Sequence, residues 1–175
     1  KRTNAESQTS DFLEKIHNAF LKILSFQQPS LKCAIIDAFI AIYQTTKLDA
    51  DKVASFVNDI VTNQPPITRL HFINAVVNAK LKQLIIIIRD KLNNVVVSLF
   101  TSDQWRIRLG IINSVNAIAE LNGEQELKKS LSNLCLQALD DKATPVRIAA
   151  AEEFAKFFVE EKSGKLYPDA FLQLK

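Results

Sequence analysis

Three stretches decide the fold: Ile67-Thr-Arg-Leu-His-Phe-Ile-Asn-Ala-Val-Val77, Trp105-Arg-Ile-Arg-Leu-Gly-Ile-Ile-Asn-Ser-Val115 and Pro145-Val-Arg-Ile-Ala-Ala-Ala-Glu-Glu-Phe154. Arg69, Arg108 and Arg147 recur every 39 residues. Their surroundings recur with them. Ile73, Ile112 and Ala151 follow at four residues, and Val76, Val115 and Phe154 at seven. Val57, Val96 and Cys135 precede at twelve, and Val61, Phe100 and Leu139 at eight. Lys32 extends the series 37 residues before Arg69, with Ile36, Phe39, Phe20 and Leu24 at the corresponding offsets. Such a period, near 40, belongs to arrays of helical pairs.

Between these marks the apolar spacing is helical. It predicts helices over 10–26, 30–46, 50–62, 66–80, 83–100, 104–121, 124–139 and 145–162. The isoleucine and valine runs at 85–88 and 95–97 have strand propensity, but their spacing across the window is that of a helix. Asn122-Gly123 and Ser163-Gly164 read as helix ends. Thr144-Pro145 reads as an N-cap followed by proline at the first helical position. The expected fold is all-α, an α-α superhelix of the HEAT-repeat solenoid type. Its pairs are 10–46, 48–80, 83–122 and 124–163, with a partial fifth at 165–175. Residues 1–9 are expected to be a disordered tail ahead of one array, 10–175. Stacked pairs bury the stripes that a single pair leaves exposed.

Composition narrows the function. The 175 residues are 47% hydrophobic and 23% charged, with a net charge of +3. Three glycines are far below the usual share of about 7%, too few for a Rossmann or P-loop phosphate site. Two cysteines, Cys33 and Cys135, are too few for a disulfide framework and point to an intracellular protein. No apolar run approaches the roughly 20 residues of a membrane span. The chain lacks Met and opens on Lys1, so it is expected to be a piece of a longer array.

The third and fourth repeats carry more than a period. Asp103-Gln-Trp-Arg-Ile-Arg-Leu-Gly-Ile-Ile112 is followed by Leu121-Asn-Gly123, Leu131-Ser-Asn-Leu-Cys135, Leu139-Asp-Asp141 and Pro145-Val-Arg-Ile-Ala-Ala150. Over about residues 102–164 this resembles the scaffold (A) regulatory subunit of protein phosphatase 2A, in its C-terminal-half repeats. The resemblance implies a non-catalytic, cytoplasmic scaffold, found also in the nucleus, whose intra-repeat loops hold a Ser/Thr phosphatase catalytic subunit and a regulatory subunit. It implies no enzyme activity, no cofactor, and no nucleic-acid, membrane or small-molecule partner. The protein-binding loop residues would be Asp103, Gln104, Trp105, Arg106, Asp141, Lys142 and Thr144. Thr144 stands where the family often has an aromatic. Arg69, Arg108 and Arg147, with Asp141, would form a structural ladder between repeats. The alternatives are a fragment of a nuclear transport receptor and a HEAT-like nucleic-acid enzyme.

Other candidates read more plainly. Trp105 is the single tryptophan, and Trp and Arg are enriched in binding hot spots. Its alternative role is to close the core between repeats. Arg106 is out of phase with Arg108 on the helix and is expected outside. His17, His71, Cys33 and Cys135 are too scattered for a metal site. Glu152-Glu153 and Glu160-Glu161 could mimic an acid/base pair, but a solvated helix face is the expected role.

Overall fold

The computed structural model describes residues 2–46 and 48–160, with side chains at 12, 14–46 and 48–157. Ten helices and no strand occur among these residues. In order they are α1 (Arg2–Leu24), α2 (Pro29–Thr45), α3 (Ala50–Asn63), α4 (Pro66–Asn78), α5 (Lys82–Ile87), α6 (Arg89–Phe100), α7 (Trp105–Ile112), α8 (Val115–Asn122), α9 (Gln125–Ala138) and α10 (Thr144–Glu160). The chain divides into two compact units, Lys1–Lys91 and Leu92–Lys175, where a single array over 10–175 is expected.

Three expectations change. The backbone is already helical at Arg2, where residues 1–9 are expected to be a disordered tail. The helix expected over 83–100 is interrupted at Ile88, within a run of four isoleucines. β-Branched side chains are stiff and crowd the preceding turn. The helix expected over 104–121 is interrupted at Asn113–Ser114. There the Ser114 hydroxyl donates to Gly110 O at 3.1 Å, and Ser114 N to Ile111 O at 3.0 Å. Such back-bonding bends helices. The expected fifth repeat at 165–175, and the end of the fourth at 161–163, lie outside the described residues.

In the first unit α1 packs on α2, α3 on α4, and α2 lies against α4 while α1 lies against α3. The core follows the apolar stripe. Leu24, Ile36, Phe39, Val57, Ile60, Phe72, Ile73 and Val76 are buried. Phe56 is fully buried, with ring centroids of Phe39 at 4.4 Å and Phe20 at 5.7 Å. Asp49 starts α3 by accepting from the N–H groups of Asp51 and Lys52, as an N-cap aspartate does. In the second unit α10 packs on α9, α7 and α8, around Ile107, Ile111, Ile112, Cys135, Val146, Ala150 and Phe157.

Two helix ends need the left-handed region. Gly123 closes α8 with φ +75°. Lys80 follows α4 with φ +53°, the one non-glycine at positive φ among the described residues. Lys80 N donates to Val77 O and Leu81 N to Val76 O, each at 3.0 Å. These are the two bonds of a Schellman motif, whose left-handed residue is usually glycine. Lys80→Gly is therefore expected to raise stability by about 0.5–1 kcal/mol, while Gly123→Ala lowers it by about 1 kcal/mol. A methyl at 123 would meet nothing within 4 Å, so that loss comes from the backbone. Urea midpoints of the two variants check both signs.

Candidate functional site

The recurring basic residues lie in the first turn of the second helix of each pair, at the corner between helices. Their backbone register repeats. The N–H groups of Lys32, Arg69, Arg108 and Arg147 donate to the carbonyls of Gln28, Pro65, Gln104 and Ala143, each four residues back. Side chains repeat as well. Arg108 Nη1 donates to Ser102 O at 2.7 Å and Asp103 O at 3.1 Å. Arg147 Nη1 donates to Asp141 O at 2.8 Å and Lys142 O at 3.3 Å, the same two bonds 39 residues on. Gln104 N is taken by Ser102 Oγ, and Ala143 N by Asp141 Oδ1.

One bond joins the two corners. Arg108 Nε donates to Asp141 Oδ2 at 2.7 Å and Nη2 to Asp141 Oδ1 at 2.8 Å. The side chains are 14% and 6% exposed, so this is a bidentate, largely desolvated pair. The Arg108 hydrogen bonds hold the Asp141 carboxyl below the ordinary carboxylate value, although burial opposes them. Asp141 holds the Arg108 guanidinium above its own ordinary value. Loop 102–106 is thereby lashed to loop 140–145.

On this double corner Asp103, Gln104, Arg106, Lys142 and Thr144 are exposed, and Trp105 is half-buried. The Arg106 guanidinium sits over the Trp105 ring, 4.6 Å from its centroid, in cation–π contact. Asp141 faces inward onto Arg108 rather than outward, and its backbone carbonyl faces Arg147. Thr144 is not the N-cap that Thr-Pro suggests. Ala143 O accepts the first helical bond, the Asp141 side chain takes the Ala143 N–H, and Thr144 Oγ1 accepts from Arg147 Nη2 at 2.8 Å. Arg69 keeps the register at its corner and is half-buried, and burial lowers its pKa.

The first unit has its own corner bond, one that charge patterning does not reveal. Buried Lys32 donates through Nζ to Gln64 Oε1 at 2.6 Å, and Gln64 Nε2 donates to Asp59 Oδ2 at 2.9 Å. The signal was the alignment of Lys32 with the arginines. The acceptor is a neutral carboxamide, so no charge pair marks it. His71 Nε2 lies 2.7 Å from Asp37 Oδ1, joining α4 to α2.

Glu153 corrects another expectation. It is buried rather than solvated. Asn116 Nδ2 on α8 donates to both its backbone carbonyl (2.8 Å) and its Oε2 (2.7 Å), and Lys156 binds Oε1. Glu152 is the exposed member of the pair. The side chains of Glu160 and Glu161 lie outside the described ones. Burial, aided by Glu153, pushes the nearby Cys135 thiol up to about 12. A carboxylate so enclosed has no open side for substrate. Among the described residues no group of three His, Cys, Asp or Glu could hold a metal, and no helix is long and apolar enough to cross a membrane.

No protein-family model and no curated protein matches the chain.

Proposed function

We propose that the chain is a non-catalytic scaffold of HEAT type that presents its corner loops to a protein partner. The observation that carries the reading is the Arg108–Asp141 pair, which locks loops 102–106 and 140–145 side by side. A surface made of two loops from different helical pairs needs such a lock, because a mobile loop loses entropy on binding. The stacked Trp105 and Arg106 supply a rigid anchor of the kind that dominates interfaces. The α-α superhelix belongs to the same reading. The 39-residue recurrence of corner bonds supports it in the second unit, and the α2–α4 and α1–α3 packing in the first. The resemblance to the phosphatase 2A scaffold makes a Ser/Thr phosphatase catalytic subunit the first partner to test, a regulatory subunit the second, and the cytoplasm and nucleus the compartments. No cofactor, nucleic acid or lipid enters this reading.

Titration of the purified chain with a phosphatase catalytic subunit tests it. Trp105→Ala with Arg106→Ala is expected to weaken binding by about 2–4 kcal/mol, or 30-fold and more, while the helical content stays unchanged. Binding that survives the double substitution at full strength rejects this corner as the docking site.

A further inference from the structure

Thr144, one of the corner residues, also carries a chemistry beyond docking. Its side chain is exposed, and it is the one Ser or Thr in the sequence followed by proline. Its hydroxyl rests on the Arg147 guanidinium, Nη2 to Oγ1 at 2.8 Å.

The comparison between repeats shows what is special there. Arg108 and Arg147 use Nη1 identically, on two backbone carbonyls. They differ at Nη2. In Arg108 it meets the Asp141 carboxylate, and in Arg147 it meets the neutral hydroxyl of Thr144. Among the described residues every hydrogen bond of Arg147 goes to an uncharged oxygen. The side chain therefore holds a cation with no carboxylate hydrogen-bonded to it, although the Asp141 carboxylate lies near enough to feel its charge, and its Nη2 is aimed at an exposed Thr-Pro hydroxyl.

We propose that Thr144 is a phosphorylation site for a proline-directed Ser/Thr protein kinase and that Arg147 is the receptor for the phosphate. In the transfer, Thr144 Oγ attacks the γ-phosphorus of ATP. The new O–P bond forms as the bridging bond to the β-phosphate breaks, and ADP leaves with the electron pair. The hydroxyl proton passes to the kinase's base and then to solvent. The phosphate brings nearly two negative charges and three acceptor oxygens, and a guanidinium binds such a group through a fork. Arg147 then acquires the anion that Arg108 finds in Asp141. The charge on residues 142–148, +2 from Lys142 and Arg147, falls to about zero, with the order of the corner kept or increased.

The experiment uses the whole chain, a cyclin-dependent kinase and Mg-ATP, without any docking partner, so its failure leaves the scaffold reading standing. The expected result is close to one phosphate per chain, mapped by mass spectrometry to Thr144 and absent from Thr144→Val. Phosphorus NMR titration of the product is expected to show a second pKa below the ordinary value of about 6, returning toward that value in Arg147→Gln. Circular dichroism verifies that the variant folds. If it does not, Arg147→Lys, which keeps the charge and loses the fork, is expected to give a smaller depression than arginine. Absence of phosphate on Thr144 overturns the site. A second pKa indifferent to both substitutions overturns the receptor.

Discussion

Phe56→Ala is expected to destabilise the first unit by about 3–5 kcal/mol, the range of phenylalanine deletions from close-packed cores. The position explains the size. Phe56 on α3 is fully buried, and it touches both helices of the preceding pair through Phe20 on α1 and Phe39 on α2. His17 adds an edge contact at 6.5 Å, and burial, with Lys52 beside it, lowers the pKa of that imidazole. A phenylalanine side chain buries roughly 150–250 Å2, which at about 25 cal/mol per Å2 is worth roughly 4–6 kcal/mol. The neighbouring rings sit on two separate helices, α1 and α2, so the cavity cannot close by a simple side-chain rotation. Phe12, 62% exposed on α1, is the internal comparison, and Phe12→Ala is expected to stay within about 0.5 kcal/mol. Urea unfolding of both variants, followed by far-UV circular dichroism, tests the contrast. A Phe56→Ala loss under about 1.5 kcal/mol would mean that the aromatic cluster is loosely packed.

Much of this arrangement is legible before any coordinates. The helix spans follow from apolar spacing, and the corner register follows from Arg69, Arg108 and Arg147, because a repeat writes the same local geometry several times. What is not legible depends on distant partners or on local conflicts. Glu153 resembles any solvated glutamate until Asn116, 37 residues earlier, supplies two hydrogen bonds to it. Lys32 and Gln64 pair across 32 residues without opposite charge. Thr144 looks like a cap because Thr-Pro usually is one, yet the Ala143 carbonyl starts the helix, Asp141 takes the Ala143 N–H, and the Thr144 hydroxyl goes to Arg147. The interruptions at Ile88 and Asn113–Ser114 sit where helical apolar spacing continues unbroken, so periodicity passes straight over them. Lys80 hides a left-handed helix end because it is not glycine. Within the candidate site, exposure at Arg106 follows from helix phase. The inward turn of Asp141 is visible only once Arg108 is seen to hold it.

Removing Asp141 is expected to have the second large effect, and its pH dependence identifies the cause. Asp141→Ala leaves the Arg108 guanidinium, only 14% exposed, with two donors unmatched and Ala143 N–H without its acceptor. Breaking one side of a desolvated pair costs about 3–5 kcal/mol when burial is complete. The slight exposure here places the loss near 3 kcal/mol. Asp141→Asn keeps one oxygen for Ala143 N and Arg108 Nη2 but removes the charge and turns an amide NH2 toward Arg108 Nε, so at least half of that loss is expected. The folded state holds the Asp141 pKa below its unfolded value, so the contribution is fully present above the unfolded pKa of about 3.9. It is lost as pH falls toward the folded value, because protonation then favours the unfolded chain. The stability difference between the native chain and Asp141→Asn should therefore be flat from pH 8 to 5 and narrow below pH 4. A difference that stays constant through that acid range would show that the carboxylate charge does not hold the corner. A surface-like value below about 1 kcal/mol would show that loops 102–106 and 140–145 are not locked, removing the physical support for docking at that corner.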